Sequence, residues 1–576
     1  MKKLAILCLA LFIVNGTQAQ IFDKLKNAVS KGSSTTSTNS TTATSTANKL
    51  FNSGNSNLST KPVDNNVKPS MGGKTYYVSA ETGSNRNEGT DKTAPLKDLQ
   101  KAIDLASNGS VICVAQGNYL GKLNCGYIEI TDKYLSVVGG YNDNFSERNP
   151  IKYITCIQPT HEQDGTNGSR GYFTINVKGN RSGLILIDGF CLDMGLQNNY
   201  KAANTSDPAF GCPPGCETGL ILETSQGNIA HQLMKGNVEG HLVVRNCVFV
   251  NGDYFGIQMN HIGGAWEIYN NVFVSNLFAA CCIDGWNKEA NQSYVDFHHN
   301  TVLFSWCRTK LMEDMGYGYC FRSNVDSDVH HNIFGCSNYA AMERTHANSN
   351  KEIEAKRKTS AYDNRFFMNR CDLLLPAPGG GTWTYVKAYS TVEVEGMGHF
   401  GGGLIGCAGA ENTSILVSKS YATGKVYYNG TGNKSGYGGL VGRMEKGNLT
   451  ITDCYATGAV KGFRWSGGFL GYVGQGVLTI TNGYTTSDIS AIGPDNKGNY
   501  QRGSVFGNIQ TPEATTINCT GFVAWKVGEG DFCYPAEAVS ISGNYYGSEG
   551  TVSSQATKLG WRTSVWDLSE DEPKLK

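Results

Sequence analysis

Acidic and basic groups crowd together in CRTKLMEDMGYGY at Cys307 to Tyr319, where Arg308, Lys310, Glu313 and Asp314 fall within seven residues. A cation set beside a base is what proton abstraction next to a carboxylate requires, one group holding charge while the other takes the proton. Tyr317 and Tyr319 follow at once, with rings able to stack on sugars. The same stretch also reads as a solvated loop whose exposed ion pairs contribute little.

Two further groups invite chemistry. His298-His299 and His330-His331 each directly precede an Asn, so stacking of those segments would set His299 beside His331. Zinc takes convergent ligands, whereas side chains along a strand face stand in a row, so the pairs read as a structural ladder and no metal centre is assigned. The run from Asn348 to Asn364 sets Lys351, Lys356, Arg357 and Lys358 against Glu352 and Glu354. It could grip an anionic glycan, and reads more simply as a charged excursion. Cys212-Pro-Pro-Gly-Cys216 suits a protruding loop closed by a local disulfide, since a metal there would need two more ligands. Ser-His-Asp order, Walker loop, dinucleotide fingerprint and HExxH are all missing.

What must position these groups is a phrase repeated five times. It reads VVRNCVF from Val243, EIYNNVF from Glu267, DFHHNTVLF from Asp296, DVHHNIF from Asp328 and AYDNRFF from Ala361. Aligning Asn246, Asn271, Asn300, Asn332 and Asn364 gives steps of 25, 29, 32 and 32 residues. Steps of that size mark a solenoid in which each repeat is one supersecondary unit. Residues alternate before the Asn and turn apolar after it, which suits short strands with one face buried. Asn itself tolerates left-handed backbone and hydrogen-bonds neighbouring amides, so it suits the corner, and stacked corners would form an Asn ladder.

This pattern resembles the right-handed parallel β-helix of pectate-lyase-like proteins. The resemblance implies a long, shallow face for polymeric ligands, and several of these families cleave acidic polysaccharides by β-elimination. That chemistry would use calcium or an Arg to neutralise the uronate carboxylate and a Lys or Arg as base, which is where Arg308 and Lys310 would serve. Calcium is the one cofactor it would call on.

Residues 1–19 carry two lysines, an apolar run and Thr17-Gln18-Ala19, reading as a cleaved signal peptide. The run is too short to span a membrane. Residues 20–73, rich in Ser, Thr and Asn, read as a linker with too little apolar surface to offset ordering entropy. The helical stripe Leu96, Leu99, Ile103 and Ala106, within a helix predicted from Ala94 to about Ala106, would cover the open end of a β-helix spanning 74–394. This opening resembles the N-terminal cap of secreted bacterial β-helix proteins.

Over 395–530 the phrase changes: GGLIG at Gly402 returns as GGLVG at Gly438, GGFLG at Gly467 and GSVFG at Gly503, each followed by a Tyr- or Phe-centred second phrase. These resemble the GLUG motif of bacterial surface proteins, implying further β-solenoid coils. Residues 531–576 read as a C-terminal cap.

Composition agrees with this picture. Seventy-one Gly and 29 Tyr suit strands and turns, and 49 basic against 49 acidic residues leave no basic face for nucleic acid. Removing Cys8 with the signal peptide leaves 17 cysteines of 18, an odd number, several at strand positions where Cys acts as a small core residue. The expectation is an all-β, exported, extracellular or cell-surface protein without a transmembrane helix. Its partner would be a polysaccharide or cell-surface glycan, bound in an adhesin-like manner; the alternative is a polysaccharide lyase or glycoside hydrolase.

Overall fold

The computed structural model describes residues 72–576 apart from 122–127, 159–170, 194–231, 253–254, 286–292, 306–315, 345–356, 370–371, 375–380, 391–393, 397–400, 410–412, 429–434, 463, 491, 495–497 and 528–529. The signal peptide, most of the linker, Cys212, Cys216, Arg308, Lys310, Glu313 and Asp314 therefore lie outside the described residues.

Because every phrase buries alternate side chains, each becomes a strand that can satisfy its backbone only against its neighbours along the rod. One face is built this way from end to end. Its strands are β1 (Thr75–Val78), β2 (Val111–Ala115), β3 (Ser136–Tyr141), β4 (Leu184–Asp188), β5 (His241–Arg245), β6 (Phe255–Tyr269) and β7 (Ser293–His298). They continue as β8 (Asp326–His330), β9 (Lys358–Phe367), β10 (Gly381–Ser390), β11 (Thr413–Ser418), β12 (Asn448–Thr452), β13 (Gly476–Thr481) and β14 (Thr515–Thr520). Each pairs in parallel with the next. The chain is a parallel β-helix.

A second parallel face is made by the first part of β6 with Ala279–Gly285, Tyr317–Ser323 and Ala340–Glu343. Between the faces lies the core, with Ile268, Phe297, Val329 and Ala361 from the first meeting Ile257, Cys281, Tyr319 and Met342 from the second. The sheet runs from β9 through β10 into β11 without a break, so the stack crosses the change of phrase near residue 395. What is added there is a short third sheet, Val394–Gly396 with Val426–Tyr428 and Val460–Lys461. Close approach explains the Gly-rich phrase: a Cβ on Gly402 or Gly438 would lie 1.9 Å from the carbonyl oxygen of the residue three positions on.

The corners follow a stricter rule than the aligned Asn residues suggest. A left-handed residue stands at Asn246, Asn270, His299, His331 and Asp363, with φ between 53° and 55°. The next residue enters the ladder. Asn271, Asn300, Asn332 and Asn364 are buried there, each Oδ1 accepting from the backbone N–H of the coil before. Asn246 is therefore not a ladder residue: register sets it beside Asn270 and sets Cys247 beside Asn271. Its Nδ2 donates to Asp188 instead, at 2.7 Å.

Amphipathic elements cover one end and one flank. Helix α1 (Leu99–Leu105) begins later than the predicted Ala94 because Asp98 caps it, accepting from the Gln100 N–H, while Leu96 bridges in parallel to Val78. Leu96, Leu99, Ala102, Ile103 and Ala106 join the core. Helix α2 (Val552–Lys558), capped by Thr551 and Ser554, leads to Trp561 and Trp566. These pack along the outer flank of the last coils, against Tyr455, Tyr484 and Val523. Trp566 Nε1 and Arg562 Nη2 both donate to Asp453, at 3.0 and 3.1 Å.

Candidate functional site

Since Ile268, Phe297, Val329 and Ala361 point inward, the residues on either side of each point outward. On β6 to β9 this aligns two polar columns. Glu267, Asp296, Asp328 and Ser360 form one; Tyr269, His298, His330 and Tyr362 form the other. The ring column is a continuous stack, with centroids 4.8, 4.9 and 4.8 Å apart and planes within 10°. Below it, Arg245 reaches both the Tyr269 hydroxyl (2.9 Å) and Asp188 (2.8 Å), and Arg148 holds the other Asp188 oxygen at 2.6 Å.

The acids differ in environment although they are register partners. Asp296 Oδ1 lies 3.0 Å from His330 Nε2 and the side chain is 24% exposed. Burial pushes its pKa up, but the hydrogen bond and charge of His330 outweigh this and hold the carboxyl below its usual value. His330 responds in kind: burial depresses it, and Asp296 raises it above an ordinary imidazole. Asp328, more deeply buried, accepts from the Tyr294 hydroxyl at 2.9 Å. Burial first, then the neighbouring Asp296 charge, pushes its carboxyl up.

His298 and His299 stay neutral. His298 is pushed down to about 4 and His299 to about 3, in both cases chiefly by burial. Their Nδ1 atoms approach to 2.8 Å, so one carries the proton the other accepts. His299 stacks on His331 at 5.0 Å, as the repeat spacing implies, but neither histidine of a pair enters the apolar core.

Among the described residues, Glu267, Asp296 and His298 bring one metal-ligating atom each within 4.8 Å of one another. Three donors, one already engaged by His330, fall short of the four that a closed zinc site takes, and an imidazole is foreign to calcium's oxygen shell.

Several sequence expectations change here. Tyr317 and Tyr319 are not sugar platforms. Tyr319 is fully buried in the core, stacked on Phe297 at 4.3 Å with its hydroxyl 3.1 Å from Ser327, and Tyr317 is buried against Phe278 and Tyr339. Alternation set by the second face turns Tyr319 inward. Arg357 is also buried and lies 3.4 Å from Asp326, so it offers no free charge to an anionic glycan. The acids were missed, although Glu267, Asp296 and Asp328 occupy the same place in three copies of the phrase, a signal as regular as the Asn that follows.

The stacked register defines the class of protein: a parallel β-helix. No protein-family model matches the chain, and no curated protein matches it. Solved structures similar to it include PfbA, a surface adhesin of Streptococcus pneumoniae, at 12% identity and TM-score 0.33, covering 68% of this chain and 86% of that one. A family 28 exopolygalacturonase of Yersinia enterocolitica aligns at 11% and 0.33, covering 77% and 78%. Pectate lyase Pel9A aligns at 12% and 0.26, covering 73% and 78%. No helix among the described residues is long and apolar enough to cross a membrane.

Proposed function

We propose that this chain is an exported glycan-acting protein and that its outer polar face hydrolyses glycosidic bonds. The observation that carries the reading is the pair Asp296 and Asp328, register partners on adjacent strands, one held by His330 and the other by Tyr294. Two carboxyl groups whose surroundings drive their proton affinities apart supply an ionised base or nucleophile and a protonated acid together. Asp328 would protonate the leaving oxygen, while Asp296 would activate water or attack the anomeric carbon. Tyr294 and His330 would be positioning residues.

A second reading, adhesin-like binding without turnover, is favoured by the depth of Glu267 and Asp328, which are 3% and 8% exposed. The test is to incubate the purified chain with neutral glycans, pectin, alginate and glycosaminoglycans, measuring new reducing ends and the ultraviolet absorbance of unsaturated products. Hydrolysis gives the first signal alone. Asp328→Asn should then lower kcat by ~10²–10⁴-fold, the range of general acid catalysis, with substrate binding retained. Unsaturated products lost in Lys310→Ala would transfer the chemistry to elimination at the Arg308–Asp314 segment, and binding without cleavage would leave the adhesin-like reading.

A further inference from the structure

On the second face, Cys282 and Cys320 are register partners on adjacent coils, and their Sγ atoms approach to 3.8 Å. Both are fully buried, in a satellite cluster with Phe255, Ala279, Tyr317 and Ala340 on the outer side of the sheet. Cys281, one residue away, points the opposite way into the core, where its register partners are Ile257 and Tyr319. Neighbouring parallel strands lie about 4.8 Å apart, inside the ~4.4–6.8 Å Cα separation a disulfide accepts.

We propose that Cys282 and Cys320 are joined by an inter-coil disulfide in the exported protein, a staple between consecutive coils of the rod. The inference rests on the export reading and is independent of the hydrolytic one. Its chemistry is thiol–disulfide exchange with a disulfide-bearing oxidant, such as a periplasmic oxidoreductase or oxidised glutathione. One thiolate attacks the oxidant's disulfide and expels its first thiolate, and the partner thiolate then attacks the protein sulfur of the mixed disulfide and expels the second. Two protein thiols thus become one disulfide and the oxidant leaves as two thiols, both electrons passing to it. Arg322 Nε donates to Cys320 Sγ at 3.0 Å, which favours Cys320 as the thiolate. Glu343 opposes this, with Oε2 2.7 Å from the same sulfur, and burial raises the Cys320 pKa well above that of a free thiol. Exchange therefore belongs to the folding chain, before the coils close over the pair.

The test is to produce the full chain in the periplasm of a host, behind the host's own export signal, and in parallel in its reducing cytosol. Both preparations are alkylated under denaturing conditions and their peptides mapped by mass spectrometry. The expected result is a peptide carrying Cys282 linked to one carrying Cys320 in the periplasmic protein only, retained in Cys281→Ala and lost in Cys282→Ala. Alkylated Cys282 and Cys320 in the periplasmic protein would overturn the proposal, as would linkage through Cys281. Forcing export this way keeps a failure of the staple separate from a failure of the export reading.

Discussion

His330 and Asp296 couple the outer face to pH. The folded His330 pKa is raised, so its contribution is complete below the unfolded imidazole value and fades as pH rises through the folded one. Asp296 is lowered, so its contribution is present above the unfolded carboxylate value and fades as pH falls. The two overlap between about pH 4 and pH 6.5. Replacing His330→Gln should therefore lower Tm most in that window, with the two melting curves converging as pH rises past the folded His330 value. A Tm deficit independent of pH would show that the pair is not ionic. At this scale the sequence announced histidines and hid their purpose. Two adjacent His pairs read as a ladder, whereas the acids two positions before each pair carry the asymmetry. Their difference comes from depth and from neighbours one coil away, burial and the Asp296 charge raising Asp328 while His330 lowers Asp296, which linear spacing does not display.

The corner is the element on which the stack depends. Asn332 Oδ1 accepts from the Asn300 N–H and Nδ2 at 2.9 and 3.1 Å, and its Nδ2 donates to the Phe297 carbonyl at 2.9 Å. Asn332→Ala strands these groups in a buried corner, each orphan costing ~1–3 kcal/mol, so denaturant unfolding should show a loss of ~3 kcal/mol or more. Asn246→Ala, at a left-handed position outside the ladder, adds ~1–2 kcal/mol of backbone strain to the loss of one hydrogen bond to Asp188, which keeps Arg148 and Arg245, so its total should stay below that of Asn332→Ala. Equal losses would mean that the two sites do the same job. The repeat and its turn chemistry were plain in the chain, yet aligning every Asn misplaced the first coil by one residue. VVRNCVF has one Asn where EIYNNVF has two, and the apolar residue two places on, Phe249 opposite Phe273, keeps the true phase. Burial of that ring outweighs the identity of the corner residue, so Cys247 can occupy the ladder.

For the whole rod, stability should be local, since each coil touches chiefly the coils above and below it. Trp566 is fully buried against Tyr455 and Tyr484, with ring centroids 6.1 Å away in each case. Trp566→Ala should cost ~3–5 kcal/mol at that end. Hydrogen exchange should then accelerate in β12 to β14 while β3 to β5 keep their protection; uniform acceleration would contradict the nearest-neighbour picture. The architecture was legible from end to end because a solenoid writes its tertiary contacts into its period. Less legible was the direction of the C-terminal segment, because a run such as SVWDLSEDEPKLK specifies an amphipathic cover and not the surface it lies on.

That direction has a consequence for biogenesis. Arg562 and Trp566 grip Asp453, 109 and 113 positions earlier in the chain. A polypeptide emerging amino end first would thus present these coils unfastened until the later segment follows, when Arg562 and Trp566 latch them.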